Sequence, residues 1–427
     1  QVASLNARIE ALLAQNAELI AQNKALNEQI ATQSARIAEL EAQLGKPPKT
    51  PDNSSTPPSR GHKARGEERA AKPRRKGRPG AARALCDNPD VTRDLYAGRC
   101  GCGGHVGESE QHLVKAYDHI DLPPIKPITT RINIHGGICA CCNKLVTATP
   151  PANMPEGSPF GPGIAAAVAY LHGCHMVGYK RLVELMHGMF GLTISQGAIA
   201  NILRRVGNPF AVAAEKIAEE VRASEVIASD ETSARVGKQT WWQWTFGCAT
   251  AVYHVIAPTR AKSVAIDFLR GARPKVWLSD RYGGQRDLAC AHQYCLAHLI
   301  RDARYAIDHG DGVFAPRFKA FLKDACAIGR KRKDITDTTI DRHRRRLKRD
   351  LDCLLRLEPT DAEGRHLRDA IDVGARDKLL VFLARRDVAP TNNESERALR
   401  PSVIFRKVTN CLRSTWGAKV YADLCSI

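Results

Sequence analysis

The sequence has no run of about 18 consecutive apolar residues, the length a helix needs to span a bilayer, so no transmembrane helix is expected. No signal peptide with a charged start and a short apolar stretch is evident. The chain begins at Gln1 rather than Met, so its natural start is expected to lie upstream. A phosphate-cradling loop is missing too: Gly237-Lys238-Gln239-Thr240 lacks the earlier glycine such a loop needs, which argues against an ATP site. Acidic charge is in deficit. Lys and Arg number 64 against 45 Asp and Glu, a formal net charge of +19. A field of that sign needs a polyanion or an acidic membrane as partner. With no membrane segment, nucleic acid is the expected one. The 427 residues allow about two to four domains. The 14 cysteines are not needed as disulfide staples in a chain that can build a large core, and their CxC and CxxC spacings point to metal in a reducing compartment.

Residues 1–45 carry a seven-residue repeat. With Leu5 at position d, the d series is Leu5, Leu12, Leu19, Leu26, Gln33 and Leu40, and the a series is Ile9, Asn16, Asn23, Ile30, Ile37 and Leu44. Asn at an a position tolerates burial when it pairs with an opposite Asn, which favours a parallel two-stranded coiled coil. The segment therefore predicts a homodimer or higher assembly; the rival reading is one amphipathic helix lying on its own chain. Residues 46–84 form a basic linker rich in Pro and Gly, without periodicity. Within it Arg74-Arg75-Lys76-Gly77-Arg78-Pro79-Gly80 looks like an AT-hook core, whose Arg side chains lie in a narrow minor groove. The plainer reading is a solvated tether attracted to phosphates without specificity.

Residues 85–150 predict a small zinc module. Cys100-Gly101-Cys102 and Cys139-Ala140-Cys141-Cys142 offer two close thiolate pairs, and Cys100, Cys102, Cys139 and Cys142 together make a tetrahedral set for structural Zn2+. Cys141 or His135 are alternative ligands, and buried free cysteines are the rival reading. Residues 151–222 read as helical. Tyr179–Met186 forms one helix, Gly191 to Ser195 a turn with Ser195 as cap, and the following residues a second helix. That second helix either lies in a DNA groove or packs its apolar face of Ile199, Ile202, Leu203 and Val206.

From Glu225 the pattern becomes that of a sheet. Val226–Asp230 reads as a strand ending in a carboxylate, Thr240–Cys248 and Ala249–Ile256 as two more strands, Lys262–Leu269 as a helix, and Pro274–Asp280 as another strand ending in a carboxylate. Three antiparallel strands, a helix and a parallel strand fit the opening of an α/β, ribonuclease-H-like fold. Its first and fourth strand ends would place Asp230 and Asp280 side by side, where they repel unless a dication lies between them. Mg2+ (or Mn2+) prefers such oxygen ligands, and a third acid would complete a two-ion site. The segment around Asn393 supplies it. Glu394 and Glu396 are two residues apart, so a helix points them about 200° from one another and only one can face the ions. The 116 residues between Asp280 and Glu396 predict a helical insertion over about 296–388. Its Arg330–Lys333 and Arg342–Arg346 clusters read either as a phosphate-contacting face or as a solvated surface. Cys290, His292, Cys295 and His298 have spacings that could hold a second zinc, although Cys295–His298 reads better as the start of a helix.

These strings resemble the transposases of the insertion sequence 66 family over nearly the whole chain. The resemblance is carried by the coiled coil, basic linker and cysteine module, by Asp230-Glu231-Thr232 and Ser279-Asp280-Arg281-Tyr282, and above all by Asn392-Asn393-Glu394-Ser395-Glu396-Arg397-Ala398-Leu399-Arg400-Pro401. It implies a magnesium-dependent DDE transposase with a retroviral-integrase-like core over 223–427. The family string places the catalytic acid at Glu396. Two departures stand out: CxC at Cys100 replaces CxxC, and the chain stops at Ile427, short of the family's usual end, so a closing helix is expected to be missing. The activity implied is water attack on a phosphodiester at each element end, followed by attack of the freed 3′-hydroxyl on target DNA. Arg397, Arg400, Arg406 and Lys407 would steady phosphates. DNA ends and target DNA are the expected partners, with accessory transposition proteins possible, in the bacterial cytoplasm at the nucleoid. The competing readings are a catalytically silent DNA-binding derivative and a metal-dependent nuclease that cuts without joining.

Overall fold

The computed structural model describes residues 2–44, 83–123, 125–154 and 156–427, which fall into two compact units. Of the described residues, the larger gathers 2–44, 151–154, 156–182 and 195–427; the smaller gathers 83–123, 125–150 and 183–194. The AT-hook-like string with Arg74, Arg75, Lys76 and Arg78 lies outside the described residues. Helix α1 (Val2–Leu44) is 43 residues long, as a stretch without Pro or Gly permits. Its described apolar positions Leu19, Leu26 and Ile30 are exposed, so no other described residue covers them. No helix among the described residues is long and apolar enough to cross a membrane.

In the smaller unit, β1 (Gly136–Ile138) and β2 (Leu145–Thr147) pair antiparallel and carry Cys139–Cys142 in their connection. Gly136 is required there: a Cβ would lie 2.8 Å from both Thr147 Cγ2 and the Val146 carbonyl oxygen. Few residues of this unit are buried, and Tyr117, Ile120, Leu122 and Ile128 are all exposed.

The larger unit continues with α2 (Pro162–Gly173), which has Pro in its first turn where the missing N–H costs nothing. Helix α3 (Tyr179–Phe190) crosses the boundary between the units. Helix α4 (Gln196–Ala223) starts at Ser195, whose side chain accepts from the Ala198 N–H, and runs on through Pro209 for 28 residues, well past the expected second helix. Ile199, Ile202 and Leu203 on it are buried.

A five-stranded mixed sheet follows: β3 (Val226–Val236), β4 (Gln239–Gly247), β5 (Val252–Ala257), then α5 (Ser263–Leu269), β6 (Val276–Ser279) and β7 (Ala291–Tyr294). The spatial order is β5-β4-β3-β6-β7, with β3, β4 and β5 antiparallel and β6 and β7 parallel to β3. Gly237, at φ 59°, opens the two-residue loop between β3 and β4, a position where the twist of a hairpin favours glycine. One sheet face is apolar. Ile227, Trp244, Phe246 and Trp277 are buried there against α4 and α5, and Phe246 stacks on Phe268 at 4.0 Å between centroids. Each such side chain contributes about 1.5–3 kcal/mol by leaving water.

The other face carries buried polar residues beside a small apolar cluster that includes Val236, Phe405 and Tyr421, and is covered by α10 (Asn393–Thr409) and α11 (Thr415–Ser426). Gln243 Nε2 donates to Ser402 Oγ at 2.9 Å and lies 3.1 Å from His254 Nδ1, and Tyr421 Oη donates to the same Ser402 Oγ at 3.1 Å. Buried polar groups are tolerable only when satisfied, so this chain of bonds fixes where α10 lies. Between β7 and α10 come α6 (Leu296–Asp308), α7 (Phe314–Lys331), α8 (Asp337–Leu355) and α9 (Ala362–Gly374), with a core that includes Leu299, Phe314, Phe318, Leu322, Leu347 and Ile371. Gly329 of α7 lets the chain before α10 approach closely, since a Cβ there would sit 2.7 Å from Pro390 Cγ.

Candidate active site

Strand register brings the first two acids level. Val226 lies opposite Val276 and Ala228 opposite Leu278, and the same offset carried forward sets Asp230 beside Asp280, just beyond the end of β6. Ser279 lies opposite Tyr294, so Cys295 is level with Asp280 on the other side. Sites in α/β sheets form at such carboxyl ends of parallel strands. The strand carrying Asp230 does not end there, as the sequence reading expected. It continues to Val236, and its pairing with β4 holds Asp230 opposite Thr245, on the polar face beneath α10.

The third acid arrives on the first turn of α10. Three bonds place that turn: Asn392 Nδ2 donates to the Ser229 carbonyl at 2.7 Å, the Asn392 N–H to Cys295 Sγ at 3.1 Å, and the Leu296 N–H to the Pro390 carbonyl at 3.0 Å. Glu394 is exposed to solvent, whereas the Glu396 side chain is 22% exposed and turns inward. Glu396 Oε1 lies 3.5 Å from His298 Nε2 and 3.8 Å from Arg301 Nη1, and it is a buried atom without a hydrogen-bond partner.

Burial, then the charges of Glu231, Asp280 and Glu396, push the Asp230 carboxyl well above the usual carboxylate range. Asp230 Oδ1 accepts the Glu231 N–H at 2.9 Å, and Asp280 Oδ1 accepts the Tyr282 N–H at 2.9 Å. Three mutually repelling acids, with an orphaned oxygen among them, fit a site for oxygen-preferring dications. Their oxygens are not all within 4.8 Å of one another. Among the described residues, the group whose ligand atoms meet that spacing is Cys295, His298 and Glu396. The spacing-based quartet of Cys290, His292, Cys295 and His298 does not assemble: Cys290 is exposed, and His292 Nε2 is 2.9 Å from Ser279 Oγ. Burial lowers the His292 imidazole to about 4 and pushes the Cys295 thiol up to about 11.

Sequence reasoning missed the support behind these acids. Glu231 points to the apolar face, where its side chain is 1% exposed, and Arg260 grips its Oε1 from Nη2 at 2.5 Å and Nε at 2.9 Å. Gln285 donates to Glu231 Oε2, and its Oε1 accepts from Trp277 Nε1 at 2.9 Å. The Arg260 guanidinium lies between Trp242, at 4.7 Å, and Tyr282, at 3.7 Å from the ring centroid. Tyr282 Oη donates to the Arg260 carbonyl at 2.8 Å. This network braces the turn that carries Asp280. The only sequence signal was the second acid in Asp230-Glu231-Thr232; the partners lie tens of residues away.

Of the expected phosphate contacts, Arg397, Arg400 and Lys407 are exposed on α10, while Arg406 is half-buried, with Nη2 3.3 Å from Thr232 Oγ1. In the insertion, Arg346 pairs with Asp324 at 2.6 Å and Asp350 at 3.1 Å, and Arg344 with Asp341 at 3.0 Å, so part of that basic face is internally neutralised. In the smaller unit each cysteine pair is close. The Cys102 thiol is lowered by the Gly104 N–H and then by Cys100, and the Cys139 thiol by the N–H groups of Cys142 and Cys141 and by the Cys142 side chain. No three of Cys100, Cys102, Cys139 and Cys142 come within 4.8 Å as a group.

A mixed sheet with acids gathered at its parallel strand ends, beneath a helix that carries a third, is compatible with a nuclease-like α/β core. The model of the Transposase IS66 family matches residues 157–420, more than half of the chain, and the protein belongs to that family of DDE transposases. The match takes in the whole sheet and all three acids. No curated protein matches the chain.

Proposed function

We propose that this protein is a transposase that cuts DNA at the ends of an insertion sequence and joins the freed 3′-hydroxyl to target DNA. Asp230, Asp280 and Glu396 would hold two Mg2+ or Mn2+ ions, which supply an activated attacking oxygen and stabilise the leaving one. The observation that carries this reading is the level placement of Asp230 and Asp280, with the inward carboxylate of Glu396 beside them. The strand order and directions support a ribonuclease-H-like core. Asn392 sets the position of Glu396 through its bond to the Ser229 carbonyl. Arg397, Arg400 and Lys407, exposed on α10, hold DNA phosphates, and Arg406 supports the strand edge at Thr232. The exposed apolar stripe of α1 pairs with a second copy, which brings two cores to two DNA ends.

Structural zinc bound by Cys100, Cys102, Cys139 and Cys142 would draw the two knuckles together. Support comes from the backbone N–H groups already aimed at the sulfurs of Cys102 and Cys139, which favour the thiolate form that zinc needs.

The test is a cleavage and joining assay with candidate end DNA, with and without Mg2+. Wild type nicks and joins only with the ion, while Asp230→Ala and Glu396→Gln lose both activities and Glu394→Gln retains them. Loss confined to Glu394→Gln refutes the choice of acid. Nicking without joining identifies a nuclease, and inactivity of the wild type on cognate ends identifies a silent derivative.

A further inference from the structure

We propose that Cys295, His298 and Glu396 form a binding site for a thiophilic divalent cation, with Zn2+ as the probe, that withdraws Glu396 from Asp230 and Asp280. Three different donors converge here: a thiol from the residue that opens α6, an imidazole one turn later, and a carboxylate from α10. All three ligand atoms lie within 4.8 Å of one another. Zinc–ligand bonds of about 2.0–2.3 Å in a tetrahedron set donors roughly 3.3–3.8 Å apart. The 3.5 Å between His298 Nε2 and Glu396 Oε1 is already in that range. Small side-chain movements would close the rest.

Two further observations point to a ligand. Glu396 Oε1, the atom facing His298 Nε2, is buried without a hydrogen-bond partner, which is costly for a group removed from water. Cys295 is buried beside them, and the Ala297 and His298 N–H groups at the α6 N-terminus are directed at its sulfur, which offsets part of the burial that holds it as a thiol, so that a bound cation has to displace the proton. Sulfur and imidazole select Zn2+ or Co2+ over Mg2+, which takes oxygen. On binding, the thiol proton leaves to water and three protein ligands leave a fourth position for a water molecule. Glu396 belongs to this group by distance and not to one with both aspartates, so a cation held here competes with the oxygen-ligated pair for the same carboxylate.

The inference rests on the proposed strand-cutting role only for its consequence, not for binding. The 427-residue chain stripped of metal is titrated with Co2+ and compared with Cys295→Ser. Cobalt taken up by the cysteine pairs of the smaller unit is common to both and cancels. The expected result is a thiolate-to-cobalt absorption band, worth one equivalent of cobalt, present in wild type and lost in Cys295→Ser. One equivalent of Zn2+ should abolish it. Glu396→Gln, which keeps the shape of the side chain, should weaken that uptake at least about tenfold, the lower end of what losing even an outer support costs a metal site. Identical spectra and stoichiometry in wild type and Cys295→Ser overturn the site. The zinc concentration that halves Mg2+-dependent nicking should rise at least about tenfold in Cys295→Ser; an unchanged value overturns the withdrawal of Glu396. A chain that takes up cobalt through Cys295 yet never cuts DNA upholds the site and refutes only the proposed function.

Discussion

Glu231 gives the sharpest quantitative test of how the acids are arranged. Its carboxyl is almost fully enclosed, and burial followed by the charge of Asp280 raises it from 4.5 to about 7, against the pull of Arg260 and Gln285. The folded chain therefore holds this proton more tightly than the unfolded chain does. The resulting stabilisation is complete below about pH 4.5 and is lost as the pH rises towards 7. At about 1.4 kcal/mol per tenfold change in proton affinity, the interval from 4.5 to about 7 amounts to ~3 kcal/mol, of which about 2.5 kcal/mol falls between pH 5 and pH 8. Replacing Glu231 with Gln removes the titration. A fixed penalty accompanies the change, because an amide cannot accept from both Arg260 and Gln285, but it cancels when two pH values are compared. Urea unfolding with a chelator present, followed by tryptophan fluorescence, is suited to this. All 5 tryptophans (Trp241, Trp242, Trp244, Trp277 and Trp416) lie in the larger unit. Between pH 5 and pH 8 the wild type should lose about 2–3 kcal/mol more stability than Glu231→Gln. With Mg2+ at Asp280 the repulsion falls and the gap between the two profiles should narrow, while the part due to burial remains. Parallel profiles without metal would refute both the burial argument and the coupling to Asp280.

Two further outcomes follow from the same geometry. Asn392→Ala removes the donor to the buried Ser229 carbonyl, and should cost about 1–3 kcal/mol in urea unfolding while lowering Mg2+-dependent cleavage more than Arg400→Ala does. Removing residues 1–44 should convert a dimer to a monomer in analytical ultracentrifugation and leave the tryptophan-detected unfolding midpoint unchanged, since the described apolar side chains of α1 are exposed in the single chain. A dimer that survives the truncation would exclude α1 as the pairing element.

Much of the core was legible because its hydrophobic periods are strong. The aromatic alternation of Trp242, Trp244 and Phe246 marks β4, and the apolar run before Asp280 marks β6. The extent of β3 was not legible. Asp230-Glu231-Thr232-Ser233 reads as the end of a strand because four polar residues rarely enter a core. Here Glu231 is buried and the other three half-buried, because Arg260 and Gln285 satisfy Glu231 and Arg406 approaches Thr232. Likewise α4 passes Pro209, where local rules stop a helix, because its apolar face is buried along much of its length.

The sequence by itself determined the inventory: which acids stand at the ends of apolar runs, that two glutamates two residues apart cannot share a helix face, and that cysteines come in close pairs. These are consequences of short-range periodicity, which a chain carries in every environment. Only the tertiary structure decided the company each residue keeps. It set Glu394 in solvent and Glu396 inside, through the three bonds around Asn392 and Cys295. It also joined Cys295 and His298 to an acid nearly a hundred positions later in the chain. Such meetings depend on the register of parallel strands and the burial of whole faces, and no local pattern encodes them.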